Sequence, residues 1–164
     1  MDTARTAAML AATITTGWMA GLFYAFSIAV MPALRRSDDR TLIETMQQVN
    51  RAILNGWFLL GYLGALVSTG TALALSIPSG PAVLPLTGAF VTYAAAMALT
   101  AAVHIPLNKA LDAAAPAHTM DAPTAATVAQ AFTPRWTRAN HARTALCTAS
   151  LTFLAWSLLS HATS

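Results

Sequence analysis

From Ala52 to Asn108 the chain carries no Asp, Glu, Lys or Arg, and residues 6–34 are equally free of charge. An α-helix rises about 1.5 Å per residue, so roughly 20 apolar residues cross a hydrocarbon core of ~30 Å. The first uncharged run is long enough for one span. The second suffices for two, and it is broken at Ile77-Pro78-Ser79-Gly80-Pro81, a turn signal too short to hold a domain. A further apolar run closes the chain after Arg143. Nothing in this pattern alternates with the period of two that a strand requires.

Composition agrees. Only 9% of the 164 residues are charged and 56% are hydrophobic, whereas a soluble domain carries about 25% charged residues. The net charge of +3 invites a nucleic-acid reading, but Lys and Arg flank the apolar runs and form no face or tail for phosphates. The single Cys147 allows no intrachain disulfide and argues against a soft metal cluster. The first apolar run lacks a small-residue cleavage site and reads as a signal-anchor. The expectation is an all-α, four-transmembrane-helix bundle forming one membrane domain over 1–164. Its spans fall near 7–34, 56–77, 82–103 and 142–159, with an amphipathic interfacial helix over 38–55.

Local signals refine the elements. In the first span Gly17, Gly21 and Ala25 recur at small-xxx-small spacing, which lets a neighbouring backbone approach; Gly61, Ala65, Ser68 and Thr69 suggest the same in the second. Ser37 can cap the helix that follows, with Asp38 and Asp39 favouring its N-terminus. On that helix Glu44, Gln47, Gln48, Arg51 and Asn55 share one face, while Leu42, Met46, Val49 and Ile53 share the opposite one. Such a helix lies on the membrane surface with its polar side to water, or turns part of that side towards the bundle mouth.

In the third span Tyr93, Met97, Thr100, His104 and Asn108 fall on one stripe, with Pro106 expected to kink the helix and free the carbonyl of residue 102. Residues 113–130, rich in Ala, Pro and Thr, read as a loop with at most a short helix over 124–132. Thr133 as N-cap and Pro134 at the first helical position would then open a helix. On it Trp136, Asn140, Arg143, Thr144 and Cys147 share one side, with Arg138 and His141 pointing away. Polar residues stacked at the mouth of a membrane helix are costly facing lipid and sensible facing the bundle interior.

The positive-inside rule adds an orientation. The connections after the first and third spans carry the Lys and Arg residues, with Arg143 at the mouth of the fourth span and Arg5 apart. These connections are expected in the cytoplasm, both termini on the far side, in the plasma (inner) membrane. The polar stripes then gather at the cytoplasmic end.

GWMAGLFYAFSIAVMPAL in the first span, MQQVN leading to Asn55, HIPLN at the end of the third span and WTRANHART opening the fourth carry a resemblance. Across nearly its whole length the chain resembles the anthrone-oxygenase-like family of small integral membrane proteins. The resemblance implies a four-helix membrane bundle and oxidation of polyketide anthrones to anthraquinones with molecular oxygen. The positions it carries over are Asn50, His104, Pro106, Asn108, Trp136, Asn140, Arg143 and Thr144; Asn50 has no support from periodicity and rests on the resemblance alone.

An anthrone has a doubly activated methylene, and its anion reacts with oxygen directly. A protein therefore needs a base, a stabiliser of the oxyanion and a dry aromatic pocket. The expected catalytic residues are His104 as base, with Asn140 and Arg143 receiving the oxyanion. Asn108, Trp136, Tyr93, Asn50 and Gln47 are expected to bind substrate, a small apolar aromatic arriving from the bilayer. No cofactor beyond molecular oxygen is expected, and no NAD or FAD, because no Gly-rich dinucleotide fingerprint is present. Iron or copper held by His104, His141 and Glu44, with His118 nearby, is the competing reading. The non-enzymatic alternative is a small membrane protein binding a lipid, a small apolar ligand or a partner subunit. The sequence leaves homo-oligomerisation open.

Overall fold

The computed structural model describes residues 2–77 and 82–162, and the Pro78–Pro81 part of the expected hairpin turn lies outside them. Helix α1 (Asp2–Ala25) passes through a π-helical turn (Phe26–Val30) into the short α2 (Met31–Leu34). Helix α3 (Asp39–Ile53) follows, then α4 (Gly56–Ser76) and α5 (Val83–Leu99). A second π turn (Thr100–His104) joins α5 to α6 (Ile105–Ala113), and after a 3-10 turn (Ala117–Thr119) α7 runs from Ala122 to Ala162. Four continuous rods, 3–34, 56–76, 83–113 and 122–160, are long and apolar enough to cross a membrane. The protein is an all-α, multi-pass membrane bundle.

Both π turns precede a proline by two positions. Proline has no N–H for the carbonyl four residues back and its ring crowds that carbonyl. At each site the helix widens by one residue: the Met31 amide donates to the Phe26 carbonyl and the Ile105 amide to the Thr100 carbonyl. The rods continue through Pro32 and Pro106, so the third does not end at residue 103. Such π turns often mark functional sites, and these two face the same interior space.

The fourth rod departs from expectation more strongly. Thr133 is not an N-cap and Pro134 does not open a helix, because α7 has already begun at Ala122. Asp121 accepts a 2.9 Å hydrogen bond from the Thr124 amide at that start, so much of the expected loop over 113–130 is helical. Packing stabilises this extension: Ala125, Ala129, Phe132 and Trp136 join Ile43 and Met46 of α3, Leu111 of α6 and Met31 of α2 in one apolar cluster. With 41 residues the helix is about 61 Å long, roughly twice the hydrocarbon thickness. Its first half is therefore part of a cap over the charged end of the bundle.

Helix α3 completes that cap. Asp38, not Ser37, is its N-cap: the carboxylate accepts from the Thr41 amide at 3.0 Å and from the Thr41 hydroxyl at 2.6 Å. Ser37 instead donates back to the Leu34 carbonyl. The buried face of α3 is Leu42, Ile43, Met46, Gln47 and Asn50. It is rotated from the purely apolar stripe because α6 and α7, rather than lipid, cover it. Helix α3 ends at Leu54, and Asn55 caps α4 by accepting from the Phe58 amide at 3.0 Å.

Within the membrane, small residues set the packing. Ala12, Ala65, Ala72 and Ala89 are fully buried, and Ser150 donates across to the Ala89 carbonyl at 2.8 Å, a kind of interhelical bond worth about 0.6 kcal/mol in bilayers. The close approaches fall at Gly61, Gly70 and Gly88, where a methyl group would meet Met19, Phe90 and Phe153, so Gly61 packs closely as the sequence suggests; at Gly64 it would make only an ordinary contact with Thr15. Gly17 and Gly21 have nothing within 4 Å of that position. At Gly17 and Gly21 a side chain would therefore be accommodated among the described residues.

Candidate functional site

Where α1, α4, the second π turn and α7 meet beneath α3, a cavity of about 290 Å³ opens, near the ~300 Å³ lower bound of ligand pockets. Phe23, Phe26, Phe58, Tyr62 and Trp136 supply aromatic walls, Met46, Val49 and Ile53 of α3 roof it, and Arg143, His104, Thr100, Asn50 and Asn108 are its polar groups.

Arg143 is 7% exposed. Its guanidinium carbon lies 3.8 Å from the centroid of the Phe23 ring and 5.9 Å from that of Trp136. Nη2 donates to Asn140 Oδ1 at 2.7 Å, Nη1 reaches Thr100 Oγ1 at 3.4 Å, and Nε is buried without a partner. No Asp or Glu lines the cavity among the described residues. A buried cation is normally paired with a carboxylate. Here ring faces and an amide oxygen carry the charge, and the guanidinium retains donor capacity for an anion.

The arginine is set by a closed hydrogen-bond ring between α1 and α7. Asn140 Nδ2 donates to the Phe23 carbonyl and to Ser27 Oγ, both at 2.9 Å. Ser27 Oγ lies 3.0 Å from Thr144 Oγ1, which gives its only proton to the Asn140 carbonyl at 2.8 Å. Ser27 must therefore donate to Thr144 while accepting from Asn140. Both donor hydrogens of Asn140 are thereby spent, and Asn140 does not line the cavity. It therefore has no donor left for the oxyanion it was expected to receive, and its oxygen is turned to Arg143.

His104, 2% exposed, lies edge-on to Trp136 with ring centroids 5.3 Å apart. Neither ring nitrogen makes a hydrogen bond of good geometry. An imidazole buried with both nitrogens unused costs stability, and it lines the cavity together with the Arg143 guanidinium.

Trp136 is 4% exposed, so it is no interfacial anchor. Its Nε1 donates to Asn108 Oδ1 at 3.0 Å. Asn50 Nδ2 spans from α3 to α6, 3.5 Å from the Asn108 carbonyl and 3.3 Å from Asp112 Oδ1. These bonds close the charged end of the cavity.

Other expected residues lie elsewhere. Tyr93 is buried outside the cavity, donating to the Tyr62 carbonyl at 2.9 Å. Gln47 donates to the Leu111 carbonyl at 2.9 Å and pins α3 to α6 instead of reaching the cavity. His141 and Glu44 are exposed while His104 is buried, and among the described residues no three His, Cys, Asp or Glu side chains form a metal-holding group. The alternative ligand set is therefore not assembled, because His141 points off the buried stripe of α7 and Glu44 off that of α3.

Sequence reading missed Phe23, Ser27, Phe58 and Tyr62. Ser27 and Thr144 are ordinary small polar residues of a membrane helix, and only the π turn aims Ser27 at α7. Phe58 and Tyr62, four residues apart and stacked with centroids 5.3 Å apart, were legible as a helical pair.

The fold and site define a multi-span membrane protein with a mostly apolar pocket, open at one side, bearing a cation without a carboxylate partner and an imidazole without a hydrogen-bond partner. A family model described as anthrone oxygenase matches residues 51–153, and the chain belongs to that family. The matched region holds His104, Asn108, Trp136, Asn140 and Arg143, while Phe23, Ser27 and Asn50 come from the segment before it. No curated protein and no solved structure matches the chain.

Proposed function

We propose that the cavity oxidises an apolar, enolisable aromatic of the anthrone type with molecular oxygen, His104 serving as base and Arg143 as the oxyanion stabiliser. The observation that carries this reading is the pairing of a buried guanidinium, short of a carboxylate, with an imidazole whose nitrogens are unused, in one aromatic-walled cavity. Family membership supports the oxygenase class.

The substrate methylene gives a proton to His104, and the negative charge develops on the carbonyl oxygen beside Arg143. Donors fixed before the charge forms act strongly in a dry site. The carbanion adds oxygen, and the resulting peroxide loses water to leave the second carbonyl. One anthrone and one oxygen molecule thus give one anthraquinone and one water. Trp136, Phe23 and Phe26 offer faces to a planar ring system. Asn108 and Asn50 border the substrate at the closed end. No resident cofactor is required by this route. We also place the charged end, with Arg35, Arg36, Lys109 and Arg138, in the cytoplasm of a plasma-membrane protein.

The test is oxygen consumption by the detergent-purified protein with emodin anthrone, alongside elemental analysis. Turnover without metal supports the base and oxyanion route; stoichiometric iron or copper overturns the cofactor-free form. Absence of both turnover and emodin binding removes the reading.

A further inference from the structure

The cavity wall is polar at one end and aliphatic where it is open. Of the residues that line it, only Leu54, Leu59, Leu63 and Ile105 are exposed, at 71%, 43%, 49% and 45%. Every polar lining residue is buried or half-buried. Leu59 and Leu63 are one turn apart on α4, inside the segment apolar enough to span, and Ile105 follows the second π turn within another spanning segment. A water-facing mouth built from four aliphatic side chains would be costly, whereas the same rim in a bilayer meets acyl chains at no such cost. At the charged end the way is shut by Trp136, Asn108 and Asn50, bonded across α7, α6 and α3.

We infer that the pocket is filled laterally from the bilayer, through a portal between α4 and α6 rimmed by Leu59, Leu63 and Ile105. Its occupant is the ligand itself, admitted with its oxygenated edge towards Arg143 and its apolar edge left at the rim. This rests on the reading of the cavity as the ligand site. The geometry selects for compounds that partition into lipid before they bind. It also explains why no charged or hydrogen-bonding side chain stands at the opening: a ligand already dehydrated by the membrane has no water shell to exchange there.

The experiment reconstitutes the full chain in phosphatidylcholine vesicles and mixes them rapidly with phosphatidylcholine vesicles preloaded with emodin. Association is followed by tryptophan quenching. Leu63→Trp and Ile105→Trp are expected to slow association at least tenfold, while Val67→Trp, also lipid-exposed on α4 but outside the cavity, leaves it unchanged. Leu63→Ala and Ile105→Ala, which only remove bulk, are expected to match or exceed the wild-type rate. This arm stands even where a Trp variant fails to fold. Folded Trp variants that associate at the wild-type rate, or alanine variants that slow it, overturn the portal and leave the pocket standing. Absence of emodin binding by the wild-type protein overturns the pocket reading and the portal with it.

Discussion

Arg143 Nη2 donates a 2.7 Å hydrogen bond to Oδ1 of Asn140, one turn earlier on the same helix. Because α1 takes both amide hydrogens of Asn140, that oxygen has nowhere else to face. The position of the cation is thus set by the packing of α1 on α7. The link runs from local geometry to function: a residue outside the cavity holds the charge inside it.

Two substitutions at Asn140 both break its bonds to α1 and differ in the charge they leave on Arg143. Asn140→Ala leaves the Phe23 carbonyl and Arg143 Nη2 without their partner, a loss of about 1–3 kcal/mol for buried groups, so thermal unfolding in detergent should start lower. Asn140→Asp loses both donations to α1 as well, but unlike the alanine it places a carboxylate on Arg143. Emodin binding should then fall at least tenfold, measured by equilibrium titration, because the guanidinium is already neutralised.

Arg143→Gln removes the cation and retains a donor. Loss of one oxyanion donor costs about 10²–10³ in rate, and turnover of emodin anthrone should fall by that order. Arg143→Lys should rescue little of it. An ammonium lacks the planar fork that sits over the Phe23 ring and reaches Asn140 and Thr100 together. Oxygen-electrode rates on the two variants check both statements.

His104→Phe tests the base. The imidazole has no hydrogen-bond partner to lose, and its edge contact with Trp136 is one an aromatic ring can keep. Unfolding temperature should be unchanged or slightly raised, while turnover falls about 10²- to 10⁴-fold, the range of general-base contributions. A variant that retains full turnover removes His104 from the chemistry.

Much of this arrangement was legible in the sequence. The uncharged runs define the spans, and the 3.6-residue period places Trp136, Asn140, Arg143 and Thr144 on one buried stripe of α7. The positions of His104 and Asn108 follow from the same rule. Two things were hidden for physical reasons. The N-terminal half of α7 reads as a loop because Pro134 and an Ala-Pro-Thr composition are poor local helix signals, yet packing against α3 and α6 overrides them. The division of labour between Asn140 and Arg143 depends on Phe23 and Ser27, 117 and 113 residues away from Asn140 in the chain. No periodicity within one helix shows which amide hydrogens a distant helix will take.

Helix packing in the membrane offers a sharper contrast. A methyl group at Gly88 would sit 3.1 Å from three carbons of the Phe153 ring, which is partly buried against an apolar cluster and stacked on Trp156. Gly88→Ala should destabilise by about 1–3 kcal/mol, the usual cost of overpacking. Gly17→Ala meets nothing within 4 Å, so helix propensity alone acts and favours alanine by up to about 1 kcal/mol. Thermal unfolding of the two variants should move in opposite directions.

Acid should loosen the cap before the membrane core. The Thr41 hydroxyl and amide hold the Asp38 carboxyl below its ordinary range, and Thr124 does the same for Asp121. A depressed folded-state pKa means that the unfolded chain binds more protons as pH falls, so the stability these caps add is complete above an unfolded value near ~3.9 and is lost as pH drops through the folded value. Asn caps a helix about as well as Asp but does not titrate. Amide exchange at the starts of α3 and α7 should therefore quicken in the wild-type protein between pH 5 and pH 3, after correction for intrinsic rates. The double variant Asp38→Asn, Asp121→Asn should show little change over the same window. Equal acid sensitivity in both proteins would mean that the caps are held by packing on α6 and not by their carboxylates.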